Sequence, residues 1–471
     1  MNSPVPSQAT LDRRRAAPLN RQIYERYRHA IEQGLIKPGE RIASARDLAA
    51  ELGVARGTVE AAYNQLAGEG YLVPRGQAGT VVAPLHALHA PPRPARSKPH
   101  AAAPLPALAA PPAFQLGIPA LDAFPRKLWA RLAARCARAI GPADMFYGQS
   151  AGHPALRQAI AAYLVVSRGV ACAPQQVFIT AGHRMSMGLV VRALLKKGDA
   201  VWCEDPGYPP ACEVLVEAGA RIVPVPVDGD GLVVALGVRR APKARAAIVT
   251  PSHQAPLGVS LSLPRRLQLL QWAARGEAWV IEDDYDGEYR YTGPPLPALK
   301  SLDAQDRVIY AGTFSKVLFP GLALSYLVVP ERLTDRFAQA CRTLSNGPPN
   351  LTQAIVAAFI TEGHFSRHLK KMRLLYARRR ALLADALRKE FGSAVRIDLT
   401  AGGMHLILRF ARRRGDERMA QRVRAAGMAC HSLSSRALEH DCGEGLAVGF
   451  TNVTDAAHAR RLAQTLADAL G

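Results

Sequence analysis

The sequence predicts a multidomain protein: a small helical unit closed by two short strands, followed by a much larger α/β body. Three observations predict it. Residues 20–83 carry a pattern of three helices and two strands, residues 84–113 hold nine Pro and ten Ala with no acidic residue, and from Phe114 onward apolar strands alternate with helical stretches. With 471 residues, 49% of them hydrophobic, the chain can bury a large core, and its length suggests two or three domains.

The opening tail, residues 1–19, is expected to be disordered; Arg13-Arg14-Arg15 is followed by no apolar run and does not read as an export signal. Ile23, Tyr27, Ala30 and Ile31 recur at helical spacing within Asn20–Leu35, until Lys37-Pro38-Gly39 breaks the pattern. Ser44, three residues before Asp47, is a capping-box start for a helix over Ala45–Leu52. Gly53 supplies a turn and Arg56–Leu66 the next helix, which makes a helix-turn-helix. Gly70–Val73 and Gly79–Val82, with Pro74–Ala78 between them, read as a two-stranded wing, and Tyr63 and Leu66 as core. Residues 84–113 read as a linker, because proline fixes φ and lacks an amide hydrogen; extended at about 3.1 Å per residue it spans at most roughly 90 Å.

In the body, residues 114–471, strands are expected at Gln176–Thr180, Ala200–Cys203, Ala246–Val249, Trp279–Ile281 and Val308–Tyr310, with helices between most of them. Such alternation argues a mainly parallel sheet. A large lobe ends near residue 329; from about 330 a smaller lobe is helix-rich, with strands near Met404–Phe410 and Leu446–Gly449. Seven cysteines, Cys136, Cys172, Cys203, Cys212, Cys341, Cys430 and Cys442, show no metal-ligand spacing, so no metal site is expected and they read as core thiols of a cytoplasmic protein. No run of eighteen apolar residues occurs, and no membrane partner is expected. The net charge of +22 favours anionic partners, but residues 1–83, with eleven Lys/Arg and eight Asp/Glu, contribute only +3, so charge does not locate a nucleic-acid site.

The segment from Lys37 to Glu60, with Ser44-Ala45-Arg46-Asp47 opening one helix and Ala55-Arg56-Gly57-Thr58 the next, resembles the GntR family of winged helix-turn-helix regulators. The resemblance covers residues 20–83 and implies double-stranded promoter DNA as partner. It implies that the helix with Arg56, Gly57 and Thr58 enters the major groove, and that the wing with Arg75, Gly76, Gln77 and Gly79 reaches the adjacent minor groove. A helix N-terminus offers amides to phosphate, Arg46 and Arg56 bring guanidinium forks for phosphate or guanine, and Ser44 and Thr58 add hydroxyls. The family's usual Pro-Ser before the second helix is Ala43-Ser44 here, which alters loop stiffness more than contact chemistry.

In the body, Glu282-Asp283-Asp284-Tyr285 precedes Thr313-Phe314-Ser315-Lys316; these passages, with Thr180-Ala181-Gly182, Glu204-Asp205-Pro206-Gly207-Tyr208 and the run Thr250 to Gly258, resemble the fold-type I aminotransferases. Joined to a GntR head, they resemble the MocR/PdxR-like regulators. The resemblance implies a pyridoxal 5'-phosphate site in which Lys316 carries the aldehyde, a role that needs an amine kept partly unprotonated by apolar or cationic surroundings. It assigns Asp283, over Asp284, to the pyridine nitrogen and Tyr285 to the phenolic oxygen. Tyr208 stacks on the ring, Gln254 touches its edge, and Gly182, His183, Arg184, Thr313 and Ser315 receive the phosphate. Tyr147 reaches a phosphate across a homodimer interface.

Two arginines of the family pattern are missing. The run after the lysine reads Pro320-Gly321-Leu322-Ala323-Leu324-Ser325-Tyr326, with Ala323 where the phosphate arginine usually stands, and Gly445–Gly449 holds no arginine for a substrate carboxylate. Loss of a charge-assisted anion contact weakens cofactor affinity by about ten- to a hundredfold unless replaced, and Arg184 is the expected replacement. His405 is a candidate for the effector site. The expected function is a transcription regulator sensing pyridoxal phosphate, with or without an amino compound. A DNA-tethered transaminase and a cofactor-free dimerisation scaffold stay open as alternatives.

Overall fold

The computed structural model describes residues 11, 17–84, 111–293, 296–345, 347–411 and 415–471. Arg13-Arg14-Arg15, most of the 1–19 tail and nearly all of the 84–113 linker lie outside the described residues. The chain divides into two compact units, Met1–Ala109 and Ala110–Gly471.

The first unit contains helices Leu19–Glu32, Ala45–Leu52 and Arg56–Gly68 and antiparallel strands Leu72–Pro74 and Thr80–Val82. Its core is Ile23, Tyr27, Ile31, Leu48, Val59 and Leu66, all buried, so the apolar spacing of the sequence is the spacing of the packed faces. The first helix stops at Glu32, short of the expected Leu35, because Gly34 takes φ +70° and the Leu35 amide turns back to the Ala30 carbonyl at 2.9 Å. The Ser44 hydroxyl accepts the Asp47 amide at 3.2 Å and donates to the Asp47 carboxylate at 2.7 Å. Asp47 therefore answers the cap through the hydroxyl rather than through the Ser44 amide. Pro74, expected in the turn, ends the first wing strand.

The second unit is built on an eight-stranded sheet in the spatial order Val177–Thr180, Ser325–Val328, Val308–Thr313, Trp279–Asp284, Ala246–Val249, Ala200–Asp205, Arg221–Asp228, Gly231–Leu232. The run from Val308–Thr313 to Arg221–Asp228 is parallel, and Ser325–Val328 pairs antiparallel with both its neighbours. Thr180, Asp205, Asp283 and Thr313 all lie at the carboxyl ends of their strands, the edge at which open α/β sheets place ligands. A second, four-stranded antiparallel sheet has the order Val395–Asp398, His405–Phe410, Leu446–Gly449, His431–Ser432. The helix His364–Phe391 runs beside it, and a single core extends from Tyr310 and Tyr326 through Tyr376 to Leu446 and Leu466, so packing is continuous across residue 330. All seven cysteines are free thiols, with Cys203, Cys341 and Cys430 buried. No helix among the described residues is long and apolar enough to cross a membrane.

Candidate functional site

In the first unit, the helix Arg56–Gly68 follows Ala55, which provides no side-chain cap, so the amides of Arg56 and Gly57 are left uncapped at an exposed end. Arg56 is exposed and pairs with Glu60 at 2.7 Å, a surface i,i+4 pair worth only about 0.3–0.5 kcal/mol and readily exchanged for a phosphate. Arg46 and Arg75 are exposed, and among the described residues Arg46 has no ion-pair partner. Thr58 is half-buried, and its amide bonds the Ala55 carbonyl at 2.9 Å. A Cβ built on Gly57 meets nothing within 4 Å, so the protein's own packing does not require glycine there. The wing turn holds Gly76, the backbone of Gln77 and Gly79, with Arg75 N–H bonded to Gly79 O at 2.7 Å. Gly79 also gives room to Arg41, whose Nε would lie 2.6 Å from a Cβ at that position. The Ser44 hydroxyl, expected to face DNA, is occupied by the cap described above.

In the second unit, the carboxyl ends of the strands open into a cavity of about 520 Å³. Lys316, Asp283, Tyr285, Tyr208, His183, Thr313 and Ser315, scattered over the sequence, all line it. Burial pushes the Lys316 amine below the usual lysine range, against the pull of Asp286 and Asp283, and among the described residues Nζ has no hydrogen-bond partner. Asp283 Oδ2 lies 2.9 Å from His183 Nε2. Burial opposes protonation of that imidazole, but the Asp283 carboxylate outweighs it and raises its pKa, while His183 Nδ1 is buried without a partner among the described residues. Asp284, one residue on, turns to the opposite face and into a buried ion pair with Arg168 at 2.5 Å, also accepting from the Tyr310 hydroxyl at 2.6 Å. Strand alternation thus separates a carboxylate facing the cavity from one serving the core.

The Tyr285 hydroxyl lies 3.0 Å from His253 Nδ1, which also lies 3.1 Å from Asp286 Oδ2. Thr313 Oγ1 accepts the Ser315 amide at 3.2 Å and the Ser325 hydroxyl at 2.9 Å. Gly182 is the N-cap of the helix His183–Leu194, and Tyr208 stands edge-on to His183 with ring centroids 5.4 Å apart.

Three expected residues lie elsewhere. Gln254 is buried but does not line the cavity: its amide donates to Glu204, Pro206 O and Ala255 O, and its oxygen accepts the Leu257 amide, so it holds loops together. Arg184 extends along the surface to Glu213 at 2.6 Å, with 61% of its side chain exposed, because that exposed acid is the partner within reach on its side of the helix. Tyr147 is 76% exposed beside Met145 and Phe146, next to a separate hollow. Sequence reasoning missed Gln115–Ile118, which form one wall; Gly117, at φ +66°, passes so close to Lys316 that a Cβ there would sit 2.6 Å from Nζ. It also missed His431 and Arg436, whereas His405, the expected effector residue, does line the cavity.

Residues 19–82 match the family of bacterial regulatory proteins named gntR, and residues 116–438 match aminotransferase class I and II. The probable rhizopine catabolism regulatory protein MocR of Rhizobium meliloti is 40% identical over 94% of this chain and 92% of its own length. The chain belongs to the MocR-like regulators of the GntR family. This MocR-like chain is also similar to the pyridoxine biosynthesis regulator PdxR of Corynebacterium glutamicum, with 36% identity over 82% of each protein. Its second unit is similar to the structure of LysN, the α-aminoadipate aminotransferase of Thermus thermophilus, with 28% identity, 76% of this chain and 91% of the other covered, and a TM-score of 0.69. The protein is a DNA-binding transcription regulator with an aminotransferase-like domain whose cofactor is pyridoxal phosphate. The residues present fit that cofactor: a half-buried amine and a buried imidazole nitrogen that have no partner among the described residues, with a carboxylate lining the same cavity.

Proposed function

We propose that this MocR-like regulator senses an amino compound through pyridoxal phosphate and answers by changing its grip on promoter DNA. The observation that carries the reading is the Lys316 amine, which shares one cavity with Asp283 and has no hydrogen-bond partner among the described residues. Bound there, the cofactor supplies an aldehyde for amines and an electron-withdrawing ring.

In this reading Lys316 holds the aldehyde, and burial keeps enough of its amine unprotonated to do so. Asp283 holds the proton of the ring nitrogen, steadied from behind by His183. Tyr285, whose hydroxyl meets His253 Nδ1, which in turn meets Asp286, orients the phenolic oxygen, and Tyr208 covers the ring. The phosphate seat combines the amides after Gly182 with Thr313 and Ser315. Ala323 adds no charge there, and the exposed Arg184–Glu213 pair supports no compensation from that arginine. The exposed Met145-Phe146-Tyr147 cluster supports a homodimer in which this segment is covered by the second copy. On the DNA side, the uncapped helix start at Arg56, the bare Gly57 and the exposed Arg46 form the reading face.

Visible absorbance tests the proposal: the full chain saturated with pyridoxal phosphate is expected to show a band at roughly 410–430 nm that Lys316→Ala lacks, the usual sign of a lysine-bound aldehyde. A colourless wild-type protein would leave only a DNA-binding scaffold. Amino-group transfer at enzyme rates, about 1 s⁻¹ or more, would favour a tethered transaminase.

A further inference from the structure

Two of the seven thiols meet. Cys203 lies in the strand Ala200–Asp205, and Cys212 near the start of the helix Pro209–Glu217. Both pack into the core cluster that holds Met187, Ala211 and Leu215, with Cys203 buried and Cys212 half-buried at its edge. The Cys203 thiol donates to the Cys212 sulfur. That contact lowers the pKa of Cys212, against the effect of burial, and together with burial it raises that of Cys203. Cys212 is therefore the sulfur that ionises first and the one a small oxidant reaches, with Cys203 directly behind it. Among the described residues, none of Cys172, Cys341, Cys430 and Cys442 has another thiol in contact.

The segment between the two sulfurs is tied to the rest of the body and carries one wall of the cavity. Glu204 accepts the Thr250 hydroxyl at 2.5 Å and the Gln254 amide at 3.2 Å. Asp205 accepts the amides of Leu438, Glu439 and His440 at 2.7, 2.8 and 2.8 Å, and the Gly207 amide donates to the Arg436 carbonyl at 3.1 Å. Tyr208 follows, lining the cavity that holds Lys316, and the helix begins one residue later. The strand is the fixed end, since Cys203 is paired on one side with Pro224 and on the other with Ile248. A disulfide of about 2.05 Å is far shorter than hydrogen-bond contact between two sulfurs, so forming one moves the start of the helix, and Tyr208 with it.

We propose that Cys203 and Cys212 are an oxidative modification site: a hydroperoxide joins them in a disulfide that draws the helix start toward the strand, displaces Tyr208 and weakens pyridoxal phosphate binding. The Cys212 thiolate attacks one peroxide oxygen, the O–O bond breaks, and the departing hydroxide takes a proton from solvent to become water. Cys203 then attacks the sulfenic sulfur of Cys212; the S–S bond forms as the S–O bond breaks, and the hydroxide released takes the Cys203 proton. Two thiols thus lose two electrons and two protons while one hydrogen peroxide becomes two waters, and a thiol reductant reverses the change. The bond itself stands apart from the cofactor reading above; only its effect on pyridoxal phosphate rests on that reading.

The test uses the full chain, as wild type, Cys212→Ser and Cys203→Ala, treated with hydrogen peroxide, alkylated and digested with trypsin. Residues 198–221 form a single tryptic peptide that holds both cysteines. In wild type this peptide is expected to lose two hydrogens and take no alkyl group, and dithiothreitol to restore both thiols. Cys203→Ala is expected to stop at a sulfenic acid on Cys212 that dimedone captures, and Cys212→Ser to leave Cys203 alkylatable. By absorbance titration, oxidised wild type is expected to bind pyridoxal phosphate about two- to tenfold more weakly than the reduced protein, the scale of one aromatic contact, with no difference in Cys212→Ser. Hydrogen exchange at Gly207, Tyr208 and Ala211, followed without cofactor, is expected to change on oxidation of wild type alone. Two alkylated cysteines in the peptide after peroxide, or a disulfide to any other cysteine, would overturn the site. A fully linked protein with unaltered exchange or unaltered pyridoxal phosphate affinity would overturn the displacement of Tyr208. A protein that takes up no pyridoxal phosphate in either state defeats the cofactor reading, while the peptide and the exchange still judge the thiol pair.

Discussion

The two units solve opposite problems with charged residues. In the head, the residues assigned to DNA stand in solvent: Arg46, Arg56 and Arg75 are exposed, and the buried set is wholly apolar or aromatic. In the body, functional groups are buried and answer one another: His183 with Asp283, and Asp286 with His253 and, through it, Tyr285. A surface that meets a polyanion in water needs only unspent charge at the right spacing. A pocket that must hold a small molecule has to hold its own ions first, because each unpaired buried charge costs several kcal/mol. Lys316 and Arg436 stand out against that background as cavity cations whose side chains have no hydrogen-bond or ion-pair partner among the described residues.

The contrast can be broken or sharpened at three sites. The largest effect is expected from Leu66→Ala, which removes a fully buried side chain of the head core and should cost about 2–5 kcal/mol. Scanning calorimetry should show the head transition falling while the body transition stays, and equal shifts of both would mean that the units do not unfold separately. Next is His405→Asn. Burial, with His253 nearby, lowers the His405 pKa to about 4, below the roughly 6.5 of an unfolded chain. The unfolded state therefore takes the proton first, and the body loses stability as pH falls from about 6.5 towards 4, by up to roughly 3 kcal/mol from this residue. Urea unfolding at pH 7 and pH 5 should show a shallower acid loss in the variant; identical losses would remove His405 from the account. The smallest is Gly57→Ala, which should stabilise the head by about 0.5–1 kcal/mol, since helix propensity rises and the new methyl group meets open space. Fluorescence anisotropy with a promoter fragment should nevertheless show weaker binding, and unchanged affinity would mean that nothing approaches the helix at that point.

These regions also differ in how far the sequence disclosed them. The head's elements follow from neighbours in the chain: the Ser44–Asp47 cap and the apolar spacing of Ile23, Tyr27 and Ile31 act within a turn or two of helix. Lys316, Asp283, Tyr285, Tyr208 and His183 were legible for another reason, since each sits in a short run at a strand end or helix start, and the structure brings them to one cavity. What stayed hidden depends on contacts between distant segments. Gln115–Ile118 have no regular structure and gain their place through the Phe114 carbonyl on the Gly449 amide. The turn bearing Arg436 is positioned by Asp205, more than two hundred residues away. The direction of Arg184 depends on Glu213, and the satisfied amide of Gln254 on Glu204 and Pro206. The strand Arg221–Asp228 was obscured by Pro224 and Pro226, which the sheet tolerates because the neighbour beyond it reaches only Val227 and Asp228.

The His253 ring behind Tyr285 occupies space that two other residues leave vacant. A Cβ on Gly403 would lie 2.0 Å from its Cε1, and one on Gly258 2.9 Å from its Nε2. The imidazole therefore depends on both glycines: a side chain at 403 would run into the ring itself, one at 258 would meet Thr400 at 2.4 Å as well as the ring, and both positions have the positive φ, +87° and +71°, that favours glycine. Substitution at any of these sites is thus constrained by the others, although they are separated by as much as a third of the chain.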